Sequence, residues 1–175
     1  QTVGLSINNV DDTAPIVTSG DSATSIDENT DAGQVIYTAT ADDSADTSEG
    51  VTFTLAGADA SLLSIDSASG EVSLVGSPDY EAKSNYSFDV VATDAAGNVS
   101  ASKAVTLDIN NLDDTAPNIT SGGTANAINE NTGANQVIYT ATADDSADIS
   151  DIPITFSLAE DTDAAVSIDA STGEV

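Results

Sequence analysis

Carboxylate and amide side chains recur throughout this chain, and their chemistry is that of a site for a hard metal cation. The chain has 175 residues, of which 30 are Asp or Glu and two are Lys, and it contains no His and no Cys. Zinc and thiolate sites of the usual kind and Ser-His-Asp catalysis are therefore excluded. Oxygen is the donor that remains. Ca²⁺ takes about six to eight oxygen ligands, whereas Mg²⁺ demands a strict octahedron and keeps its waters, so the donor set favours Ca²⁺.

The acidic residues gather in short segments, each of which we expect at the end of a strand. These segments hold Glu28; Asp42 and Asp43, with Asp46 close behind; Asp79 and Glu81; Asp94; and Asn111, Asp113 and Asp114, followed by Thr115. Two carboxylates about 4 Å apart repel by about 4 kcal/mol at an effective dielectric of about 20, and a bound cation would remove that conflict. Two alternatives stay open: any single acid here is a solvated turn residue, or the acidity is a salt-adapted surface, which would not require clustering.

The net charge and the apolar pattern limit the partners of this chain. A formal net charge of −28 argues against nucleic acid and anionic lipid, because both would be repelled. No run of about 18 apolar residues is present, so we expect no membrane-spanning segment. The chain opens in mid-pattern and without a signal peptide, which indicates a piece of a longer protein.

An internal repeat divides the chain into modules. The segment "QVIYTATADDSAD" occurs at 34–46 and again at 136–148, an offset of 102 residues, and "DDTAP" at 11–15 returns at 113–117 with the same offset. A period of this length fits a tandem domain rather than a solenoid unit. We therefore expect residues 1–12 to be the last strand and joint of a preceding module, 13–114 to be a complete module, and 115–175 to be the incomplete front of the next.

Within residues 13–114 the apolar residues alternate with period two, which predicts β-strands. The alternation places on one face Val35, Tyr37, Ala39 and Ala41; then Val51, Phe53 and Leu55; then Tyr86, Phe88, Val90 and Ala92; and finally Val105, Leu107 and Ile109. Turn signals separate these runs, and no long segment has a helical period. About 100 residues of this kind predict an all-β, antiparallel β-sandwich of about seven strands, with the alternating residues as its core.

The acidic motifs, in their order and spacing, resemble the cadherin-like repeats of bacterial extracellular proteins, including large adhesins of the RTX type. The motifs are Glu28-Asn29 and its copy Glu130-Asn131; "DYE" at 79–81; "VVATDAAGN" around Asp94; the pairs Asp42-Asp43 and Asp144-Asp145; and "NVDDTAP" and "NLDDTAP". The chain departs from the family pattern where Asn9 and Asn111 replace the first Asp of the joint, and where Asp113 and Thr115 replace Asn. The adjacent pairs stand in place of a DxD motif, so which Asp of each pair binds stays open.

The resemblance implies cadherin/Ig-like sandwiches in tandem, with Ca²⁺ held at each joint by ligands from two modules and the segment between them. For the central joint it implies Glu28, Asp79, Glu81, Asn111, Asp113, Asp114, Asp144 and Asp145. For the N-terminal joint it implies Asn9, Asp11, Asp12, Asp42, Asp43 and Asp94, without ligands from a preceding module. The central joint should therefore be the better filled of the two.

The resulting functional hypothesis is a calcium-rigidified spacer, outside a bacterial cell, that holds a terminal adhesive domain away from the surface. Its partners would be adjacent modules of the same type, and a carbohydrate or surface ligand would belong to other domains. A binding module for carbohydrate or for its own kind is the alternative, although three Phe, four Tyr and no Trp offer few aromatic platforms. An enzyme is not expected, because paired carboxylates such as Asp79 and Glu81 come with no cleft-forming insertion.

Overall fold

A computed structural model of the chain describes residues 1–47, 49–149, 152–160 and 162–175. It contains two compact units, Gln1–Asn111 and Leu112–Val175, called unit 1 and unit 2 below. The predicted module boundaries at 12/13 and 114/115 remain a prediction. In the part of the chain that is described, no helix has the length and apolar character needed to cross a membrane.

Unit 1 is an all-β sandwich, as predicted. Its strands are β1 Ile16–Val17, β2 Ile26–Asp27, β3 Val35–Thr38, β4 Ala41–Asp42, β5 Val51–Ala56, β6 Leu63–Ile65, β7 Glu71–Leu74, β8 Asn85–Asp94 and β9 Lys103–Asn110, with a 3₁₀ turn at Ala60–Leu62. One sheet has the order β2-β9-β8-β5, a second has the order β3-β7-β6, and β1 pairs with β4. All these pairs are antiparallel except β2 with β9, which is parallel.

The core of unit 1 lies between the two larger sheets and is built by the alternation seen in the sequence. Phe88, Val90, Val105 and Leu107 have no exposed surface, and the intervening residues of β9 face solvent. The ring of Tyr37 meets that of Phe88 edge to face, with centroids 5.9 Å apart. The predicted faces of β8 and β9 are therefore confirmed.

Strand β3 does not follow the predicted alternation. Val35 is 53% exposed, whereas its neighbour Ile36 is 2% exposed and joins the core beside Tyr37. The pairing of β3 with β7 shifts register between Val35 and Tyr37. A bulge inserts one residue and turns the preceding side chain to the other face. The prediction that Val35 shares a face with Tyr37 is therefore wrong.

Unit 2 reproduces local features of unit 1 but not its core. Strand β10, Asn118–Ile119, pairs with β11, Ala143–Asp144, as β1 pairs with β4. Among the residues described for this unit, Ala141 is the one buried hydrophobic, while Ile128 and Val137 are more than half exposed. Residues 1–15 likewise form no strand, and Val3, Leu5 and Ile7 are exposed.

Candidate metal centres

Strand β8 connects the two ends of unit 1 at which the acidic residues collect. Asp94 is the last residue of this ten-residue strand, and Glu81 lies four residues before its first residue, Asn85. A ten-residue strand spans about 30 Å. The two sets of acids therefore lie at opposite ends of the sandwich.

The first acidic cluster consists of Asp11, Asp43 and Asp94. One carboxylate oxygen from each lies within 4.8 Å of the others. Asp43 and Asp94 are buried, and Asp11 is half-buried. Asp43 follows the end of β4 and Asp94 ends β8, so two strand ends bring these side chains to Asp11, as the sequence predicted for a sandwich.

A turn after β8 orients Asp94. The backbone N–H of Asn98 donates to Asp94 Oδ1 at 2.7 Å, and Asn98 Nδ2 donates to Asp94 Oδ2 at 2.8 Å. The same Nδ2 also donates to the backbone carbonyl of Asp11 at 3.3 Å. Asn98 thus ties two members of the first cluster together. The sequence analysis did not single out Asn98 as a site residue, so this role was missed.

The electrostatics of the first cluster differ from one acid to the next. Burial, followed by the negative charges of Asp94, Asp43 and Asp46, raises the pKa of Asp11. Burial also raises the pKa of Asp94, but hydrogen bonds from Asn98 and from the neighbouring backbone together hold that pKa below its usual value. The ionised form of Asp94 is therefore favoured, whereas the ionised form of Asp11 is disfavoured by burial and by the like charges around it.

Two oxygens of the first cluster fit a cation rather than a proton donor. Asp11 Oδ1 and Asp43 Oδ2 are buried and have no hydrogen-bond partner among the described residues. Buried polar atoms in native proteins are nearly always partnered, so an orphaned carboxylate oxygen calls for an explanation such as an ion. An all-oxygen, all-acidic donor set suits a hard divalent cation.

The second acidic cluster consists of Glu28, Asp79 and Glu81, whose oxygens also approach one another within 4.8 Å. Glu28 is only 2% exposed, although Asp79 and Glu81 face solvent. The backbone N–H of Tyr80 donates to Glu28 Oε2 at 2.8 Å, and the backbone N–H of Glu28 donates to the carbonyl of Asn110 at 3.0 Å. Glu28 thereby joins the 79–81 segment to the end of β9.

The segment that carries Asp79 and Glu81 is held on its far side as well. The backbone N–H of Ala82 donates to Asp79 Oδ1 at 2.9 Å, and that of Lys83 donates to the Asp79 carbonyl at 2.8 Å. The Lys83 ammonium pairs with Asp59 at 3.0 Å and lies 5.3 Å from the centre of the Tyr86 ring. These contacts give a short, fixed turn that presents both acids.

The two carboxylates of each adjacent Asp pair have different surroundings: one accepts hydrogen bonds from a nearby serine, and the other has a buried oxygen. Asp42 Oδ1 accepts from the backbone N–H of Ser44 at 3.0 Å, and the Ser44 side chain and backbone lower the Asp42 pKa. Its neighbour Asp43 joins the first cluster instead. In unit 2, Asp144 accepts from Ser146 in the same way, and Asp145 Oδ1 is buried without a partner among the described residues. The structure thus brings Asp43, and not Asp42, to Asp11 and Asp94.

The remaining candidates lie in the two DDTAP segments, residues 9–15 and 111–117. Asn9 and Asp12 are exposed, as are Asp113 and Asp114, whereas Asn111 is half-buried and its Oδ1 has no partner within the described chain. In unit 2, Asp113, Asp114 and Asp145 line a cleft of about 410 Å³ together with residues 115–117 and 152–155.

Two further acids, Asp46 and Asp148, accept hydrogen bonds from the two DDTAP segments. The sequence did not single them out as site residues. The N–H of Asp12 and the side chain of Asn9 donate to Asp46, and the bond from Asp12 is the main cause of the lowered Asp46 pKa.

Comparison with known proteins supplies the family. A model of the cadherin domain matches residues 22–110. Mouse cadherin-23 EC22–24 aligns over 95% of this chain and 54% of its own, with 23% identity and a TM-score of 0.68. Human CDH23 EC21–23 aligns over 95% of this chain and 55% of its own, with 24% identity and a TM-score of 0.62. Protocadherin gammaB7 EC3–6, described as a cis-dimer, aligns over 97% and 44%, with 19% identity and a TM-score of 0.69.

At these identities the likeness to solved structures concerns the fold, and this chain spans about half the length of the structures it matches. The comparison with curated proteins gave no match. The family model, however, covers just over half of the chain, including β2 to β9 and both acidic clusters except Asp11. This chain therefore belongs to the cadherin domain family.

Proposed function

We propose that this chain is a calcium-stiffened spacer from a bacterial cell-surface adhesin, one of a series of modules that hold an adhesive domain away from the cell. The observation that carries the proposal is the pair of three-carboxylate clusters at the two ends of one sandwich, with two buried oxygens in the first that have no hydrogen-bond partner among the residues described. Cadherin domains are extracellular adhesion modules rather than enzymes, and they typically bind calcium.

The proposed ligands follow from the geometry of each unit. In unit 1 they are Asp11, Asp43 and Asp94 at one end, and Glu28, Asp79, Glu81 and Asn111 at the other. In unit 2 they are Asp113 and Asp145, by correspondence with residues 11 and 43 at the repeat offset, and Asp114, which lines the same cleft. Cation binding would offset the mutual repulsion of these carboxylates and would stabilise the folded chain, because the unfolded chain does not bring them together.

A spacer explains the conservation of sequence between the two copies better than a recognition surface does. The surfaces of two repeats that bind different partners would need different loops, whereas a spacer needs the same joint each time. Aromatic residues that could stack on sugars are scarce: Tyr37, Phe53, Tyr86 and Phe88 are all buried. Self-association is the second candidate, and it is favoured by the cis-dimer described for protocadherin gammaB7.

The proposal is tested by thermal unfolding with and without calcium. At a free calcium concentration about 100 times Kd, each site adds about 2.7 kcal/mol, which raises Tm by on the order of 10 °C for a domain of this size. Asp43→Asn and Glu81→Gln should each remove part of that rise. Asp89→Asn is the matched control, since it deletes the same charge from the middle of β8, away from both clusters.

The result that would end the proposal is an identical melt in EDTA and in millimolar calcium, at low ionic strength. Analytical ultracentrifugation in the same two buffers separates the second candidate from the first. A spacer stays monomeric at micromolar concentration in calcium, whereas a self-associating module sediments faster as its concentration rises.

A further inference from the structure

Two carboxylates that belong to neither acidic cluster hold the backbone of the two DDTAP segments. In unit 1, Asp46 Oδ2 accepts from the backbone N–H of Asp12 at 3.3 Å, and Oδ1 accepts from the side chain of Asn9 and from the backbone N–H of Thr47, the latter at 2.9 Å. Asp46 is half-buried. Asp46 thus accepts two hydrogen bonds from the segment that carries Asp11.

Unit 2 repeats the arrangement 102 residues later. Asp148 Oδ2 accepts from the backbone N–H of Asp114 at 2.9 Å and from that of Thr115 at 3.3 Å, and Oδ1 accepts from the backbone N–H of Ile149 at 2.6 Å. The donor Asp114 is the repeat counterpart of Asp12. The same bond thus occurs in two units that differ in how much core they have, so it depends on local sequence.

The position of Asp12 explains why this bond matters to the metal centre. Asp12 is the residue after Asp11, whose Oδ1 is buried beside Asp43 and Asp94 and has no hydrogen-bond partner in the described part of the chain. Residues 1–15 form no strand, so no sheet ladder fixes this part of the backbone. A hydrogen bond to an ionised acceptor is about twice as strong as a neutral one, and here it holds the backbone adjoining Asp11.

We propose that Asp46 and Asp148 are positioning residues, each of which clamps the backbone of its DDTAP segment through hydrogen bonds without any cation, and so places Asp11 and Asp113 ready for one. This clamp deepens the proposed function, on which its effect on calcium binding rests. The clamp itself does not depend on calcium. The DDTAP segments are accordingly ordered in the apo protein.

The first test uses amide hydrogen exchange in EDTA on the whole chain. Asp46→Ala should speed the exchange of the Asp12 amide by roughly tenfold or more and leave Asp114 unchanged, and Asp148→Ala should do the reverse. The two variants are thus controls for each other. Exchange at Leu107, in the core strand β9, reports whether either variant destabilises unit 1 as a whole.

Asp46→Asn separates the hydrogen bond from the charge, because an amide keeps a neutral acceptor of the same shape. The clamp predicts an exchange rate for Asp12 between those of wild type and Asp46→Ala. A rate equal to that of Asp46→Ala would assign the effect to charge and overturn the proposal. So would a wild-type rate in Asp46→Ala, or acceleration at both segments in either variant.

The second test follows calcium binding at the first cluster through the side-chain amide signal of Asn98, which contacts Asp94 and Asp11. Asp46→Ala should weaken the calcium affinity reported there by roughly tenfold, and Asp148→Ala should leave it as it is. Equal affinity in wild type and Asp46→Ala overturns the positioning role. If wild type itself shows no calcium response, the proposed function fails, while the exchange test in EDTA still decides the clamp.

Discussion

The two units of this chain share a repeated sequence, residues 13–72 and 115–175, but bury its apolar residues to different extents. In both, the first short strand pairs with the strand that ends at the first residue of the Asp pair, and the hydroxyl oxygens of a threonine pair, Thr18–Thr40 or Thr120–Thr142, lie 2.9 Å apart beside it. In unit 1 the apolar residues of β3, β6 and β7 pack against those of β8 and β9 to form the core. Among the described residues of unit 2 there is no counterpart of these two strands, and its apolar residues remain largely exposed.

This difference separates local from global determinants of the fold. Turns, caps and the Asp46 and Asp148 bonds form in both units, because their partners lie within about 35 residues of one another. Burial of the alternating apolar face needs β8, whose partners β5 and β9 come from separate parts of the chain. Matched substitutions in the two units can therefore tell which contacts act locally.

The largest difference is expected for the phenylalanine pair. Phe53 is 7% exposed and lies opposite Ala92 of β8, whereas its counterpart Phe156 is half-buried. Phe53→Ala should lower the free energy of unfolding of unit 1 by about 3–5 kcal/mol, through lost burial and a cavity. Phe156→Ala should cost unit 2 less than half of that.

Urea unfolding followed by NMR, with signals from each unit read separately, measures both phenylalanine variants. Both residues make the same backbone bond, from Phe53 to Ser67 and from Phe156 to Ala170, each at 2.9 Å, and alanine keeps it. Equal losses in the free energy of unfolding of the two units would show that packing against β8 does not account for the cost of Phe53→Ala.

Glycine at the turn before β7 should give the next largest effect, and here the two units should agree. Gly70 has φ 73°, and a Cβ added there would lie 2.5 Å from the carbonyl oxygen of Ala39; Gly173 has the same φ and the same distance to Ala141. Gly→Ala at either position should cost at least about 2 kcal/mol, from the left-handed backbone and the clash.

Amide exchange of Ala39 and Ala141 measures this directly, because each donates to the carbonyl of its glycine at 2.8 Å. Ala68→Gly, in the same turn as Gly70, is a control that adds no clash. Faster exchange of Ala39 in Gly70→Ala with no change of Ala141 in Gly173→Ala would refute the view that this turn is locally determined.

How much the sequence could predict follows the same division. Strands β8 and β9 were predictable because they are long: four apolar residues at alternate positions of β8, and three of β9, indicate one buried face although Val91 and Ala104 are apolar at intervening positions. The run "VIYT" of β3 was not, since three apolar residues in succession fit either register, and only pairing with β7 decides that Ile36 turns inward. A bulge leaves no mark in the period of the apolar residues, so the sequence pattern could not predict it.

The sequence could predict which segments contribute to each candidate site, but not which side chain of a segment faces the cluster. Acids at the ends of predicted strands were expected to meet, and the structure brings together Asp11, Asp43 and Asp94, and separately Glu28, Asp79 and Glu81. Which of Asp42 and Asp43 points to the cluster depends on where β4 ends and on the bond from Ser44. Asn98 and Asp46 were missed as site residues because turn residues have no period that indicates the partner of a side chain.

A smaller effect is expected at the tyrosine hydroxyl, which both units use to hold the turn after the first strand. The hydroxyl of Tyr37 donates to the Gly20 carbonyl at 2.7 Å and lies 2.6 Å from Ser19 Oγ, and Tyr139 contacts Gly122 and Ser121 in the same way. Tyr37→Phe and Tyr139→Phe should each cost about 1 kcal/mol. Thermal melts check the loss, and Ser19→Ala, which removes a single acceptor, should cost less; a loss above that of Phe53→Ala would contradict this ranking.

The smallest effect concerns the ionisation of one turn carboxylate in each unit. Hydrogen bonds from the Ser171 side chain, and then from the Thr172 and Ser171 backbones, lower the pKa of Asp169 to about 2. Asp66 is its counterpart, and its pKa is lowered by the Ser69 and Ala68 backbones; at the place of Ser171 it has Ala68, which offers no hydroxyl. Since the folded pKa of Asp169 lies below that of a free Asp, about 3.9, its contribution to the stability of the turn is present above that pH and is lost as the pH falls through about 2.

Ser171→Ala should therefore raise the pKa of Asp169 toward its usual value, and Ala68→Ser should lower that of Asp66 further. Carboxyl ¹³C titration by NMR measures both, and a pKa of Asp169 that does not move in Ser171→Ala would mean that the backbone bonds, which the two turns share, account for the whole shift.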